Sequence, residues 1–305
     1  MLFNFFNKQK VYSVEEQFNI YLKNLSQSSS LSPRTIEGYR YTLSRIQKFL
    51  ETRVNTLDQV DYCILEELKG DIRKKWCINA TNRLIFKYND CVSYLYKIKI
   101  LKKQPILISI IKNYQLKKEV KALSLDQYQM FMELLIEKKE TLNTKKLIQT
   151  CRLLFYSGLR YSELLNLKYT HVNFKNNTVF IKPTAYNKKG RNSIILLPSF
   201  KKLILGQKFD SIYIAPYKHK NRATFYRNLL YFQQINKEKL KGIDFIITPR
   251  TFRSSFASQA VAQGIDRFVL QKYLGHSSVT ITNEYYINEH ITQDRQLEIL
   301  NMKFG

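Results

Sequence analysis

The segment Leu274-Gly275-His276-Ser277-Ser278-Val279-Thr280-Ile281-Thr282-Asn283-Glu284-Tyr285 sets a histidine nine residues ahead of a tyrosine. Two segments upstream each carry arginine: Ser157-Gly158-Leu159-Arg160-Tyr161-Ser162-Glu163-Leu164 and Thr248-Pro249-Arg250-Thr251-Phe252-Arg253. Together they form a chemical set, cations to hold a phosphate and a phenol to attack it. A phenol ionises near pH 10, about three units too high for it to be a good nucleophile at neutrality. It can attack a phosphodiester only where nearby charge stabilises the transition state and geometry is fixed.

The sequence around these segments predicts how they are presented. Leu147, Cys151, Leu154 and Phe155 form a helical stripe that stops at Ser157-Gly158, where glycine can end a helix in the left-handed conformation. Ser162 is expected to cap a following helix, Glu163 to Lys168, which leaves Arg160 in a tight turn. Phe252, Phe256, Ala260 and Val261 make another stripe, ended by Gly264. Asp266 is expected to cap a helix through Leu274, and Gly275 to end it. The β-rich runs Thr178–Ile181 and Ser193–Leu197 flank the turn-like Asn187–Asn192 and read as a hairpin, with Pro198 ending the second strand.

The first third of the chain reads as helices. Ser13-Val14-Glu15-Glu16 fits a capping box, and Val14, Phe18, Leu22 and Leu25 follow at helical spacing. Ser32-Pro33 opens a second helix with the stripe Ile36, Tyr39, Leu43, Ile46 and Leu50. Further helical patterns cover 57–69 and 80–98. The polar run Lys117-Lys118-Glu119 places a linker near 112–122, and Ser124-Leu125-Asp126-Gln127 fits a capping box that opens the next helix. The expected fold class is mainly α with a small β-sheet, in two domains, 1–116 and 117–305, the second closed by a tail helix.

With 50 Lys+Arg against 24 Asp+Glu, the net charge is +26, an excess that attracts polyanions and favours counterion release on DNA. At 44% hydrophobic residues the chain can bury a core. Cys63, Cys77, Cys91 and Cys151 contain no C-x-x-C pair, and His171, His219, His276 and His290 are scattered. Neither set has metal-ligand spacing, so reduced thiols and no metal are expected. No apolar run reaches the roughly 18 residues of a membrane span, and the start lacks a signal core; a cytoplasmic protein is expected.

The three arginine, histidine and tyrosine boxes, in this order and spacing, resemble those of the tyrosine recombinase (phage integrase) family. The resemblance implies an N-terminal helical core-binding domain that grips DNA and a C-terminal catalytic domain. It implies that Tyr285 attacks the scissile phosphorus to give a 3′-phosphotyrosine link, with no cofactor. Tyr286, adjacent to it, is the alternative nucleophile. Arg160 and Arg253 would clamp the non-bridging oxygens, Glu163 would orient Arg160, and His276 would hydrogen-bond the phosphate or assist proton transfer. Arg250 departs from the pattern, because histidine is most common there; it keeps a phosphate donor but cannot act as a base. A hairpin lysine would protonate the leaving 5′-oxygen: Lys189, with Lys188 second and Lys182 a weaker choice. Arg34, Arg40, Arg45 and Lys48 are candidate DNA contacts, although a solvated helix face explains any one of them equally well.

The implied partners are double-stranded DNA with specific core sites and three further copies of the chain, as a homo-tetramer joined through the C-terminal tail, with no membrane. The implied activity is site-specific recombination, integrating or excising a mobile element. Chromosome dimer resolution by the same chemistry is an alternative, as is a non-catalytic DNA-binding relative. A type IB topoisomerase or telomere resolvase would share the chemistry but usually carries long extra domains.

Overall fold

The computed structural model describes residues 11–28, 31–112, 119–138, 141–182, 192–206, 211–218, 221–276 and 278–287, with the backbone alone at 284 and 285. Two compact units divide the chain, Met1–Leu116 and Lys117–Gly305.

Among its described residues the first unit packs four helices: α1 (Val14–Gln27), α2 (Pro33–Leu50), α3 (Tyr62–Lys75) and α4 (Ile78–Lys97). Side chains start three of them. Ser13 and Glu16 close the capping box of α1, Ser32 accepts from Thr35 N–H with Pro33 at the first turn of α2, and Asp61 accepts from Ile64 N–H. That last cap corrects the pattern read over 57–69: Leu57–Gln59 is a separate 3₁₀ turn, and α3 starts after Asp61. The core gathers Phe18, Leu43, Ile46, Leu50, Leu65, Leu68, Ile85 and Leu95. Asn82 and Asn89, about two turns apart on α4, then act as strand surrogates. Each exchanges two hydrogen bonds with the following backbone, Asn89 with Ile108 and Asn82 with Ile111, at 2.8–2.9 Å.

The second unit is built round α6 (Leu142–Ser157), which is preceded by α5 (Leu125–Ile136). Thr150, Cys151, Leu153, Leu154 and Phe155 are all buried, so the end of α6 is enclosed on most of its circumference. A short helix α7 (Tyr161–Leu165) follows. Next comes an antiparallel sheet, in the order β1 (Val172–Asn173), β2 (Thr178–Phe180), β3 (Ser193–Ile195). Val179 and Ile194 pair across β2 and β3 and are buried, while their strand neighbours are exposed. The hairpin strands are shorter than the sequence suggested, and Pro198 does more than stop a strand: it is the first residue of α8 (Pro198–Leu205).

The remaining helices among the described residues are α9 (Arg222–Ile235), α10 (Pro249–Ala262), α11 (Arg267–Leu274) and α12 (Val279–Tyr286). α10 lies along α6 and buries the small residues Ser254, Ser255, Ala257 and Ser258. Ser255 also accepts from Leu123 N–H at 2.8 Å, tying the entry to α5 onto α10. α12 packs on α10 and α11. No helix among the described residues is long and apolar enough to cross a membrane.

Candidate active site

α6 and α11 are capped by left-handed glycines, Gly158 (φ 59°) and Gly275 (φ 67°). The last carbonyls of a helix have no intrahelical donor and carry partial negative charge. Here arginines supply the missing donors. Arg253, on α10, donates Nη1 to the Gly158 carbonyl at 2.7 Å and Nη2 to the Leu274 carbonyl at 2.6 Å. Arg160 donates Nη2 to the next carbonyl, that of Gly275, at 3.0 Å. Two distant parts of the chain thus close on a third, the turn Leu274-Gly275-His276.

Glu163 sits beneath them. Its carboxylate accepts from Arg160 Nη1 and from the Arg160 backbone N–H, both at 2.8 Å, and lies 4.0 Å from Arg253 Nη1. This carboxylate decides where α7 starts: Arg160, not Ser162, is the cap, and α7 stops at Leu165 instead of running to Lys168. Arg253 and Glu163 have side chains only 3% and 4% exposed, against 32% for Arg160. Arg253 is therefore built into the interior, whereas Arg160 keeps part of its donor fork open to a ligand.

His276 is held on both ring nitrogens. Nε2 is 2.9 Å from Arg253 Nη2, and Nδ1 is 2.8 Å from Thr282 Oγ1. A guanidinium has only donors, so Nε2 accepts. Nδ1 therefore carries the proton and donates to Thr282. The backbone is clamped by Gln271, whose carbonyl accepts from His276 N–H and whose amide donates to the His276 carbonyl. The imidazole stacks on Tyr286 with ring centroids 4.4 Å apart.

Arg250 lies exposed in the first turn of α10, its Cζ 5.1 Å from the Tyr286 ring. Tyr285 is on the last turn of α12; its side chain lies outside the described residues. So do Lys188, Lys189 and the tail beyond Ile287. Lys182 follows β2 and is exposed. On α2 the four basic candidates are all exposed but do not share one face. At about 100° per residue, Arg34, Arg45 and Lys48 fall within roughly 60° of one another, with Arg40 well outside that arc. Arg45 and Lys48 line a groove of about 570 Å³ with Arg53, Lys75 and Trp76, whereas Arg40 borders a hollow against Asn19 and Lys23 of α1.

Sequence reasoning missed Thr282, Gln271 and the three carbonyls. The two glycines were the available signal, because a helix ended by a left-handed residue leaves carbonyls to be satisfied. Nothing in the sequence distinguished Thr282 from its neighbour Thr280. Among the described residues, no three His, Cys, Asp or Glu side chains gather as metal ligands would.

A model of the Phage integrase family matches residues 121–291, and one of the phage integrase N-terminal SAM-like domain matches residues 18–83. Tyrosine recombinase XerC of Rickettsia prowazekii (strain Madrid E) is 28% identical over 292 residues, spanning 90% of this chain and 92% of that protein. Among solved structures, a lambda integrase dimer bound to a COC′ core site superposes with a TM-score of 0.70 at 16% identity, covering 91% of this chain and 78% of that one. A lambda integrase tetramer bound to a Holliday junction gives 0.69 at 14% identity, covering 94% and 79%. At these identities the structural likeness is one of fold.

Proposed function

The chain belongs to the Phage integrase family, the tyrosine recombinases, and from that premise we propose that it exchanges DNA strands at specific core sites through a covalent 3′-phosphotyrosine intermediate. The observation that carries this reading is the meeting of Arg160, Arg253 and His276 at the turn that leads into α12, the helix bearing Tyr285. Guanidinium groups fixed before substrate arrives stabilise a pentacoordinate phosphorane without reorganising at the moment of reaction.

In this reading the Tyr285 oxygen attacks phosphorus, loses its proton, and the P–O5′ bond breaks. Arg160, Arg250 and Arg253 hold the non-bridging oxygens. The Tyr285 proton passes to water, or to His276 once its Nε2 exchanges the bond from Arg253, because Arg250 cannot accept one. Lys189, with Lys188 as alternative, protonates the departing 5′-oxygen. A partner strand's 5′-hydroxyl then reverses the step, and bond energy is conserved in the ester. The second unit supplies this chemistry and the first grips the duplex. The working form is a tetramer, a reading supported by the lambda integrase tetramer bound to a Holliday junction, and the C-terminal tail is assigned as its joint.

Integration and excision of a mobile element is the first task assigned to this chemistry. Resolution of chromosome dimers is the second reading, favoured by relatives named XerC. One experiment addresses both. Purified protein is incubated with host genomic fragments, covalent complexes are trapped by denaturant, and the linked peptide and DNA site are identified. The expected product is a phosphotyrosyl peptide containing Tyr285, absent from Tyr285→Phe, which still binds DNA. An adduct that persists in that variant, or a gel shift without any adduct, overturns the proposal. Sites at the ends of an insertion support the first task, and a single chromosomal locus supports the second.

A further inference from the structure

Tyr286 has no part in the reaction proposed above, yet its ring touches three of the side chains that reaction uses. The ring lies 4.4 Å from the His276 imidazole, centroid to centroid, with 28° between the planes. The Cζ atoms of Arg250 and Arg253 are 5.1 and 5.2 Å from its centroid. These are cation–π distances. The backbone behind the ring is fixed as well: Ser258 donates its hydroxyl to the Tyr286 carbonyl at 3.3 Å, and Ile287 is buried among Ala257, Val261, Leu270 and Leu274.

We propose that Tyr286 is a positioning residue for strand cleavage. Its ring face holds Arg250, Arg253 and His276 in one constellation and sets the last turn of α12 against them. The inference rests on the reading in which Tyr285 attacks and those three side chains face the phosphate. Arg250 shows why such a platform matters. It is a long, exposed side chain that loses rotamer entropy when fixed. A rigid ring restricts it before DNA arrives. A cation–π contact itself consumes no guanidinium N–H. Stacking likewise constrains the imidazole plane, while the bonds to Thr282 and Arg253 fix its rotation within that plane.

The role belongs to the ring and not to its hydroxyl, and this separates it from the alternative in which Tyr286 is the nucleophile. The test is single-turnover adduct formation on a nicked core-site duplex at saturating protein, with DNA affinity measured alongside. Tyr286→Phe is expected within about twofold of wild type. Tyr286→Leu, with bulk but no π face, is expected on the order of tenfold slower at unchanged affinity, since three contacts of this kind are lost. Equal rates for the leucine variant and wild type overturn the inference. So does a phenylalanine variant as slow as leucine, which would place the hydroxyl in the chemistry. If the leucine variant fails to fold in a thermal melt, Tyr286→Met supplies the same comparison. Failure of the underlying reading looks different: wild type then forms no adduct, or Tyr285→Phe still forms one.

Discussion

Arg160 and Arg253 donate to consecutive carbonyls of one turn, Arg160 to Gly275 at 3.0 Å and Arg253 to Leu274 at 2.6 Å. The two arginines are matched in chemistry but not in burial, with side chains 32% and 3% exposed. Arg253 also satisfies the end of α6, so it joins two helix termini and serves the fold as well as the site. Arg253→Ala leaves buried carbonyls and Glu163 short of donors, and is expected to lower stability by about 3 kcal/mol. Arg160→Ala removes a half-exposed partner and should cost about 1 kcal/mol or less. Both should abolish adduct formation. Urea melts of the two variants are the measurement, and an Arg253→Ala midpoint as high as that of Arg160→Ala would contradict the structural role.

Thr282 holds the tautomer that Arg253 imposes on His276. Nδ1–H donates to the Thr282 hydroxyl at 2.8 Å, while Nε2 accepts from Arg253. Thr282→Val keeps the shape and removes that partner. Loss of this orienting bond misplaces the imidazole, and a drop of roughly tenfold in cleavage rate is expected, with restoration by Thr282→Ser. Stopped reactions on a nicked duplex would show it. A valine variant at full rate would mean that the imidazole orientation does not depend on this bond.

Legibility in the sequence followed how local each determinant is. Ser13, Ser32, Ser124 and Asp266 cap helices through side chains within four residues, and all four helix starts were readable. The apolar stripes of α1, α2 and α6 were readable because each faces a single core. β1 was not, since two residues carry no alternation. The start of α7 was misplaced because a carboxylate from inside that helix, Glu163, caps Arg160 N–H, where Ser162 offered the commoner cap residue. In the site, the charged residues announce themselves by type, whereas their acceptors are carbonyls, which any residue supplies. Only the folded turn selects Leu274 and Gly275.

The basic candidates on α2 separate into two groups by geometry, and DNA binding should separate them too. Arg34, Arg45 and Lys48 share one side of the helix, and the latter two line the groove with Arg53, Lys75 and Trp76. Each phosphate contact contributes roughly one unit to the slope of log K against log salt. Replacing all three by alanine should flatten that slope by about 3, while Arg40→Ala leaves it unchanged. Anisotropy titrations of a labelled duplex across a salt series decide it. A slope altered by Arg40→Ala alone would move the DNA face to the α1 side.

Gly158 is the residue through which packing reaches the arginine clamp. It holds φ at 59°, where side chains other than glycine are strained, and a Cβ there would meet the Phe256 ring at 2.4 Å. Phe256 cannot yield easily, because it is stacked on Tyr273, whose hydroxyl donates to the Ser157 carbonyl at 3.0 Å. Gly158→Ala must therefore shift the turn, and with it the carbonyl that receives Arg253 Nη1 at 2.7 Å. Backbone strain and overpacking each cost about 1 kcal/mol or more, so a loss of about 2–3 kcal/mol is expected. Pairing it with Phe256→Leu separates the two terms. The smaller side chain relieves the clash but not the dihedral strain, so the double variant should recover part of the stability in a denaturant melt. Full recovery would show that the left-handed backbone contributes nothing, and none would show that Phe256 is not the obstacle.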